Sequence, residues 1–252
     1  MEKTALSLKE KQEIILDILK DVDKFCRAAG IRYTISDGTM LGAVRHGGFI
    51  PWDDDADVLM PRTDFDRFVA EYRSDRFNLL YNTRGEEENF VYGYAKVADP
   101  GTYAVRNRKR TGYGMYIDIF PLDPLPEDKR ERARYIHNVR SIHNRIHHRQ
   151  RKDLLSVIKS YRHSLDWWWN RLNSVCNNSD YVASGLLGCL MNGDGGKTIV
   201  EERLFDSLVD IRFEDHDFLC LPDPHSYLAM IFGADYMTPK KWAHNLTVYR
   251  NE

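Results

Sequence analysis

Residues 36–60, SDGTMLGAVRHGGFIPWDDDADVLM, decide how the first half of this chain folds. The stretch combines a glycine-rich turn with a close-set group of acidic residues and ends in an apolar run. The acids are Asp37, Asp53, Asp54, Asp55 and Asp57. Like charges this close repel one another, and such a cluster usually persists because a cation lies among the carboxylates. The stretch therefore predicts a turn, a short helix and a strand that together hold a cation.

Helices and strands are both predicted on either side of this stretch. Residues 8–29 form a helix, with Ser7 and Glu10 at capping-box spacing and Gly30 as a stop signal. Strands are predicted at 31–36, through the acidic cluster to residue 60, and at 77–82, 90–97, 102–106 and 114–122, with helices at 39–45 and 62–72. This mixture indicates an α/β or α+β sheet domain over residues 1–126, and we assign the α+β class.

The composition changes after residue 126, and a mainly helical region is predicted for 127–252, packed on the sheet domain. A helix at 129–152 carries nine Lys or Arg and one acid, and a second helix covers 154–175. A hairpin then leads to a last helix that begins near Pro224. The basic helix is either an ordinary solvated face or a landing surface for an anionic polymer or acidic lipid headgroups. The run 167–169 is three tryptophans, of which two are expected in the core and one exposed or at a contact.

Composition restricts the classes of protein to which the chain can belong. With 252 residues, 42% apolar and 12% aromatic, it has enough apolar side chains for a packed core. The net charge of −2 does not indicate a nucleic-acid-binding protein. The first residues lack the apolar region of a signal peptide, and the uncharged run 181–193 is too short to span a membrane. We therefore expect a cytoplasmic protein, with peripheral contact with the inner face of the membrane left open.

The acidic cluster has the chemistry of a site for a hard cation. Side chains alternate along a strand, so Asp53, Asp55 and Asp57 are expected on one face. Carboxylate oxygens suit Mg²⁺ or Mn²⁺, and Mg²⁺ held by one or two carboxylates normally keeps positions for substrate phosphates. This pattern predicts a phosphate ester as the substrate.

Two further segments extend this predicted site. Gly38 and Thr39 lie between a strand and a helix, where glycine permits close approach and the helix N-terminus attracts phosphate. Asp118 is a lone acid in the apolar strand MYIDIF, and such an acid is costly to bury unless it is paired or bound to a cation. A small-residue turn, an Asp-x-Asp strand and a later strand with one Asp form the arrangement seen in the nucleotidyltransferase superfamily. These features favour metal-dependent phosphoryl or nucleotidyl transfer, and the alternative is that the acids form a solvated loop or a structural calcium site.

Four motifs in order resemble the LicD family, which includes bacterial phosphocholine transferases and, more distantly, the fukutin-related enzymes. They are GTMLGAVRHGGFIPWDDDADV, AKVADPGTYAV, GMYIDIFPLD and YLAMIFGADYM, and the resemblance runs from about residue 11 to residue 244. It implies a nucleotidyltransferase-like mixed β-sheet with flanking helices and a divalent metal. It also implies transfer of a phospho-alcohol, most familiarly phosphocholine from CDP-choline, to a hydroxyl of a glycan.

The resemblance also assigns roles to residues of this chain. Asp55 and Asp57 hold the metal, Asp118 completes the site and acts as base on the acceptor hydroxyl, and Asp53 is a further ligand or supports the others. The donor's phosphates meet Gly38 and Thr39.

Three more residues are candidates for contacts with the donor. Lys96 and Arg45 are the cations nearest to these motifs, and each either contacts a phosphate or is a solvated surface charge. Trp52 either stacks on the donor base, or caps a quaternary ammonium by a cation–π contact, or packs in the core.

The predicted function is transfer of a phospho-alcohol group from a CDP-linked donor to a glycan or lipid-linked glycan, such as teichoic acid or lipopolysaccharide. The alternatives are a nucleotidyltransferase that moves NMP, and a non-catalytic protein that binds anionic glycans through the basic helix. Neither the identity of the alcohol nor the oligomeric state follows from the sequence.

Overall fold

The structure is a computed structural model that describes residues 4–81, 93–106, 109–110, 113–150, 163–176, 179–191, 196–241 and 247–251. The described helices are α1 (Leu8–Ala29), α2 (Asp37–His46), α3 (Arg62–Glu71), α4 (Lys129–Gln150), α5 (Leu165–Cys176) and α6 (Pro224–Phe232), with 3₁₀ turns at Ser179–Ser184 and Glu202–Asp206. The described strands are β1 (Thr34–Ile35), β2 (Asp57–Pro61), β3 (Asn78–Leu80), β4 (Ala95–Ala98), β5 (Thr102–Arg106), β6 (Lys109–Arg110), β7 (Tyr116–Pro124), β8 (Leu186–Cys189), β9 (Ile199–Glu201), β10 (Val209–Phe213), β11 (His216–Cys220) and β12 (Thr247–Arg250).

Helix α1 has the bounds that its capping signals predict. The backbone N–H of Ser7 donates to Glu10 Oε2 over 2.9 Å, and the N–H of Glu10 donates to Ser7 Oγ over 3.3 Å. Gly30 ends the helix in the left-handed conformation, with φ of 63°. The buried residues recur at helical spacing and face the core: Ile15, Ile18, Leu19, Val22 and Cys26.

A mixed sheet of seven strands forms the centre of the protein. Its order is β1-β2-β7-β4-β3, with β8 paired to β7 and β9 paired to β8. The β2–β7 pair is parallel, and the other pairs of this sheet are antiparallel. Because β7 pairs with three other strands, it is the central strand of the sheet. The mixed sheet with flanking helices confirms the predicted α+β class.

The second half of the chain contributes strands as well as helices. Strands β8 and β9 extend the central sheet, and β12 pairs with β5. The β10–β11 hairpin and the start of α6 at Pro224 confirm the predicted hairpin and last helix. One hydrophobic cluster contains side chains from the central sheet and from α4 and α5. The division at residue 126 stays a prediction about domains.

Helices α4 and α5 follow the central strand β7 in the chain, and they pack against each other. The predicted basic helix is described as far as residue 150, and its last two residues lie outside the described ones, as do residues 154–162 of the second predicted helix. Trp168 and Trp169 are buried and Trp167 is 42% exposed, which confirms the predicted split of the tryptophan run. Among the helices described, none combines the length and the apolar character that crossing a membrane requires.

A buried ion pair connects α3 with the end of β7. Arg62 donates to Asp123 Oδ1 over 2.7 Å, and both side chains are buried. Removing Asp123 leaves the buried Arg62 with only the half-exposed Asp66, 3.4 Å away, as an ion-pair partner among the described residues. We expect Asp123→Ala to lower the free energy of unfolding by about 3–5 kcal/mol, measured by urea denaturation. Arg203→Ala breaks an exposed ion pair with Glu201 and is the control, with no measurable change expected. Equal effects of the two variants would contradict this prediction.

Candidate active site

Three charged side chains lie side by side across the centre of the sheet. The parallel register of β2 and β7 pairs Asp57 with Asp118, and the antiparallel register of β7 and β4 pairs Asp118 with Lys96. Residues paired across neighbouring strands project to the same face. The two predicted carboxylates and the predicted lysine therefore share one face of three adjacent strands.

The acidic residues before β2 divide between two directions. The strand begins only at Asp57, so the strand predicted through the whole cluster is shorter than expected. Asp54 accepts a hydrogen bond from Lys11 Nζ on α1 over 2.8 Å. Asp53 instead lies beside α2, where a Cβ atom added to Gly38 would come within 3.0 Å of its Oδ2. The side chains of Asp53 and Asp54 thus point in different directions, as strand alternation predicts, although residues 53–56 are not in a strand.

The carboxylates converge electrostatically on Asp57. Burial raises the pKa of Asp57 well above its ordinary value, and the negative charges of Asp55, Asp37, Asp118 and Asp53 raise it further. The pKa of Asp53 is raised to about 6, with burial as the largest cause. A cluster in which each charge disfavours the next is stabilised by a cation or by protons.

Lys96 is a buried residue that forms an ion pair with Asp118, and it is not a solvated surface charge. Its ammonium donates to Asp118 Oδ1, and the residue is 3% exposed. Its Nζ lies 3.5 Å from the ring centroid of Tyr116 and 5.2 Å from that of Tyr94. Burial lowers the pKa of Lys96, while the charge of Asp118 acts in the opposite direction. Burial also raises the pKa of Asp118, although Lys96 counteracts this rise.

The donor set fits a hard divalent cation in part. Within the described ranges, no three His, Cys, Asp or Glu side chains are already gathered as a metal-binding group. Mg²⁺, however, normally takes one or two protein carboxylates and completes its shell with waters and substrate phosphates. Asp55 and Asp57 fit that pattern, whereas Asp118 is engaged by Lys96. The metal-ligand roles of Asp53, Asp55, Asp57 and Asp118 stay predictions.

The turn before α2 holds Asp57 in place. The backbone N–H of Asp57 donates to Thr39 Oγ1 over 2.9 Å, and the N–H of Ser36 donates to the Asp57 carbonyl over 3.0 Å. Thr39 is buried, so its hydroxyl has a structural use besides the predicted phosphate contact. Asp37, at the first position of α2, has φ of 44°, a conformation that is uncommon outside glycine and concentrates at functional sites.

Arg45 and Trp52 make contacts with later parts of the chain. Arg45 is eight residues after Asp37 on α2, which is about 12 Å along the helix. Its guanidinium donates to the carbonyl of Tyr236 over 3.0 Å. Trp52 packs against the core, and the ammonium of Lys241 lies 5.9 Å from its ring centroid. Arg45 thus lies at the opposite end of α2 from Asp37, and the donor contacts proposed for both residues stay predictions.

Tyr227 is a residue of this site that the sequence analysis does not single out. It lies on α6, which packs against α2, and it is 3% exposed. Burial raises the pKa of its hydroxyl well above the ordinary value, and the charges of Asp37 and Asp57 add to this rise. The motif YLAMIFGADYM contains this tyrosine, but only the packing of α6 on α2 reveals where it lies.

The Thr39 hydroxyl gives a direct test of how Asp57 is held. Thr39→Val keeps the shape and removes the acceptor, so the backbone N–H of Asp57 is left buried without a partner. We expect the free energy of unfolding to fall by roughly 1–3 kcal/mol, measured by urea denaturation. Thr39→Ser retains the hydroxyl and is the matched control, with a smaller loss. The reverse order of the two variants would show that the methyl group, not the hydrogen bond, dominates.

Comparison with known proteins agrees with these features. The family described as LicD/FKTN/FKRP, nucleotidyltransferase domain, matches residues 30–159. Lipopolysaccharide cholinephosphotransferase LicD of Haemophilus influenzae is 27% identical over an alignment of 255 positions, which covers 92% of each chain. Human ribitol 5-phosphate transferase FKRP is 40% identical over 118 residues, which are 47% of this chain and 21% of FKRP. An uncharacterized protein of Rickettsia prowazekii is 45% identical over 116 residues, which are 45% of this chain and 40% of that protein.

The matched residues include the turn before α2, the acidic cluster, strand β4 and strand β7. They also make up just over half of the chain. The resemblance predicted from the four motifs is thereby confirmed, and this chain belongs to the LicD/FKTN/FKRP family.

Proposed function

We propose that this chain transfers a phospho-alcohol group, first of all phosphocholine, from a CDP-linked donor to a hydroxyl of a cell-surface glycan. In general terms, the chain is an enzyme that transfers a phospho-alcohol group, because one relative is named as a cholinephosphotransferase and another as a ribitol 5-phosphate transferase. The observation that carries the proposal is the alignment of Asp57, Asp118 and Lys96 on three adjacent strands. In this proposal the alignment brings a cation ligand, a base and a buried ammonium group to one reacting phosphorus atom.

In this proposal the donor's diphosphate lies at the N-terminus of α2, next to Gly38. The N-terminus of a helix offers unsatisfied N–H groups and the positive end of its dipole. Asp55 and Asp57 would hold Mg²⁺ or Mn²⁺, which supplies neutralisation of the charge on the diphosphate and on the leaving CMP. The negative potential around Asp57 supports this role, since a phosphate alone would be repelled there.

Asp118 is the proposed base. Burial raises its pKa, and a carboxylate with a raised pKa accepts a proton more readily than an ordinary one. Lys96 holds Asp118 in its charged form beside Asp57. Asp118 takes the proton of the acceptor hydroxyl, the oxygen attacks phosphorus in line, the phosphoalcohol bonds to the acceptor, and CMP leaves with the bonding electron pair.

The acceptor is proposed to be an anionic glycan, with lipopolysaccharide ahead of teichoic acid because of the name of the Haemophilus influenzae relative. The exposed side of α4 carries Arg134, Arg140 and Arg145 and follows β7 in the chain. A positive surface raises the local concentration of an anionic acceptor and of acidic lipids. This face is therefore the proposed acceptor side, with peripheral contact with the inner face of the membrane.

Substitution of the aligned acids tests the enzyme. Asp57→Asn removes a charge at the reacting centre, so we expect turnover of CDP-choline to fall by about 10²–10³-fold while the fold is retained. Asp215→Asn is the control, because Asp215 is an exposed carboxylate outside the acidic cluster that pairs with Lys20 on α1. Its turnover is expected to stay near that of the wild type. Circular dichroism checks the fold of both variants.

The same variants separate the alternatives. A non-catalytic glycan-binding protein keeps its glycan affinity in Asp57→Asn and shows no turnover in the wild type. A nucleotidyltransferase that moves NMP is identified by labelling the two phosphates of CDP-choline separately. Under our proposal, label from the phosphate attached to choline appears in the glycan. Under the alternative, label from the phosphate attached to cytidine appears there.

Donor and cation binding can be measured without an acceptor. A ligand that binds only the folded state raises the apparent stability, by about 2.7 kcal/mol at one hundred times its Kd. We expect CDP-choline with Mg²⁺ to raise the melting temperature more than the sum of either added alone. CDP-ribitol and CDP-glycerol in the same thermal-shift series rank the alcohols. Equal shifts with EDTA and with Mg²⁺ would contradict the proposed cation.

A further inference from the structure

Two buried hydroxyl groups at the N-terminus of α2 donate no hydrogen bond. Within the described part of the chain, neither the Tyr227 O–H nor the Ser36 O–H donates to an acceptor. Tyr227 is 3% exposed and Ser36 is fully buried. Buried hydroxyl groups are normally hydrogen-bonded, and each exception calls for an explanation.

The end of the helix itself lacks its usual partner. Ser36 occupies the cap position of the ten-residue helix α2, where a serine normally accepts a hydrogen bond from the helix backbone, but its side chain makes no such bond. The first N–H groups of α2 are therefore not satisfied by this serine. A helix N-terminus without a side-chain cap, next to two hydroxyl groups that donate no hydrogen bond, has the donor set of a site for an anionic oxygen.

Tyr227 reaches this place from a distant part of the chain. It lies on α6, which packs against α2, and the groups that act on its hydroxyl include the backbone N–H and the carboxylate of Asp37 and the carboxylate of Asp57. A tyrosine hydroxyl is a neutral donor, so it can contact a phosphate without adding negative charge. It also lies outside residues 30–159, which the family match covers.

We infer that the Tyr227 hydroxyl donates a hydrogen bond to a phosphate oxygen of the donor at the N-terminus of α2. This inference rests on the proposed function and adds α6 to its donor site. Without the donor, the Tyr227 O–H has no acceptor in the described part of the chain. The bound diphosphate then supplies that acceptor. Tyr227 is thus a phosphate-binding residue, and its substitution separates ligand affinity from stability.

The test compares the wild type with Tyr227→Phe and with Tyr135→Phe by isothermal titration in Mg²⁺. Tyr135 is the matched control, because it is buried and its hydroxyl donates to the carbonyl of Val175 over 2.9 Å. The probes are inorganic pyrophosphate, CDP-choline and cytidine. We expect Tyr227→Phe to bind pyrophosphate and CDP-choline about 10–100-fold more weakly and to bind cytidine as the wild type does. Its ligand-free melting temperature is not lowered, whereas that of Tyr135→Phe is lowered with unchanged affinities.

The outcomes distinguish this inference from the proposed function. Unchanged affinities in Tyr227→Phe, or a lower ligand-free melting temperature, overturn the inference and leave the CDP-linked donor standing. Pyrophosphate binding that depends on Tyr227, without binding of CDP-choline, supports the inference and overturns the proposed donor. A wild type that binds neither pyrophosphate nor CDP-choline overturns both.

Discussion

The parallel pairing of β2 with β7 is the constraint on which the candidate site depends. It places Asp57 next to Asp118 in the middle of the sheet, where both are desolvated. Removing a carboxylate from water costs several kcal/mol unless a cation or hydrogen bonds compensate. Lys96, paired with Asp118 from β4, compensates one of the two. The remaining negative charge is concentrated on the side of Asp57, towards the turn before α2.

Two helices hold the acidic segment against its own repulsion. Helix α1 supplies Lys11 to Asp54 and Gln12 to the carbonyl of Asp53, over 2.8 and 2.9 Å. Helix α2 supplies the Thr39 hydroxyl to the N–H of Asp57. The chain can return so closely after α2 because Gly42 has no side chain, as a Cβ there would lie 2.4 Å from the carbonyl oxygen of Gly48. The glycines and the acids of this stretch therefore form one structural unit.

The sequence predicts the parts of the molecule that have local signals. Capping residues define α1, and a lone acid in an apolar strand identifies Asp118. The sequence analysis does not predict strands β8, β9 and β12, because they are short. Their partner strands are also distant in the chain or themselves unpredicted. Arg45 follows the glycine turn closely in sequence, yet the length of α2 separates it from Asp57. Tyr227 is the opposite case, since tertiary packing alone brings it to α2.

The charges of the site link donor and cation in the proposed function. A diphosphate that approaches Asp57 meets the negative charges that already raise the pKa of that residue. In the proposed function, a divalent cation at Asp55 and Asp57 would remove that repulsion, and the phosphates would supply oxygen ligands that complete its shell. Such coupling is reciprocal, so the donor strengthens cation binding by the same factor as the cation strengthens donor binding. In this proposal, the small number of protein ligands makes cation affinity depend on the substrate, while Lys96 compensates the charge of Asp118.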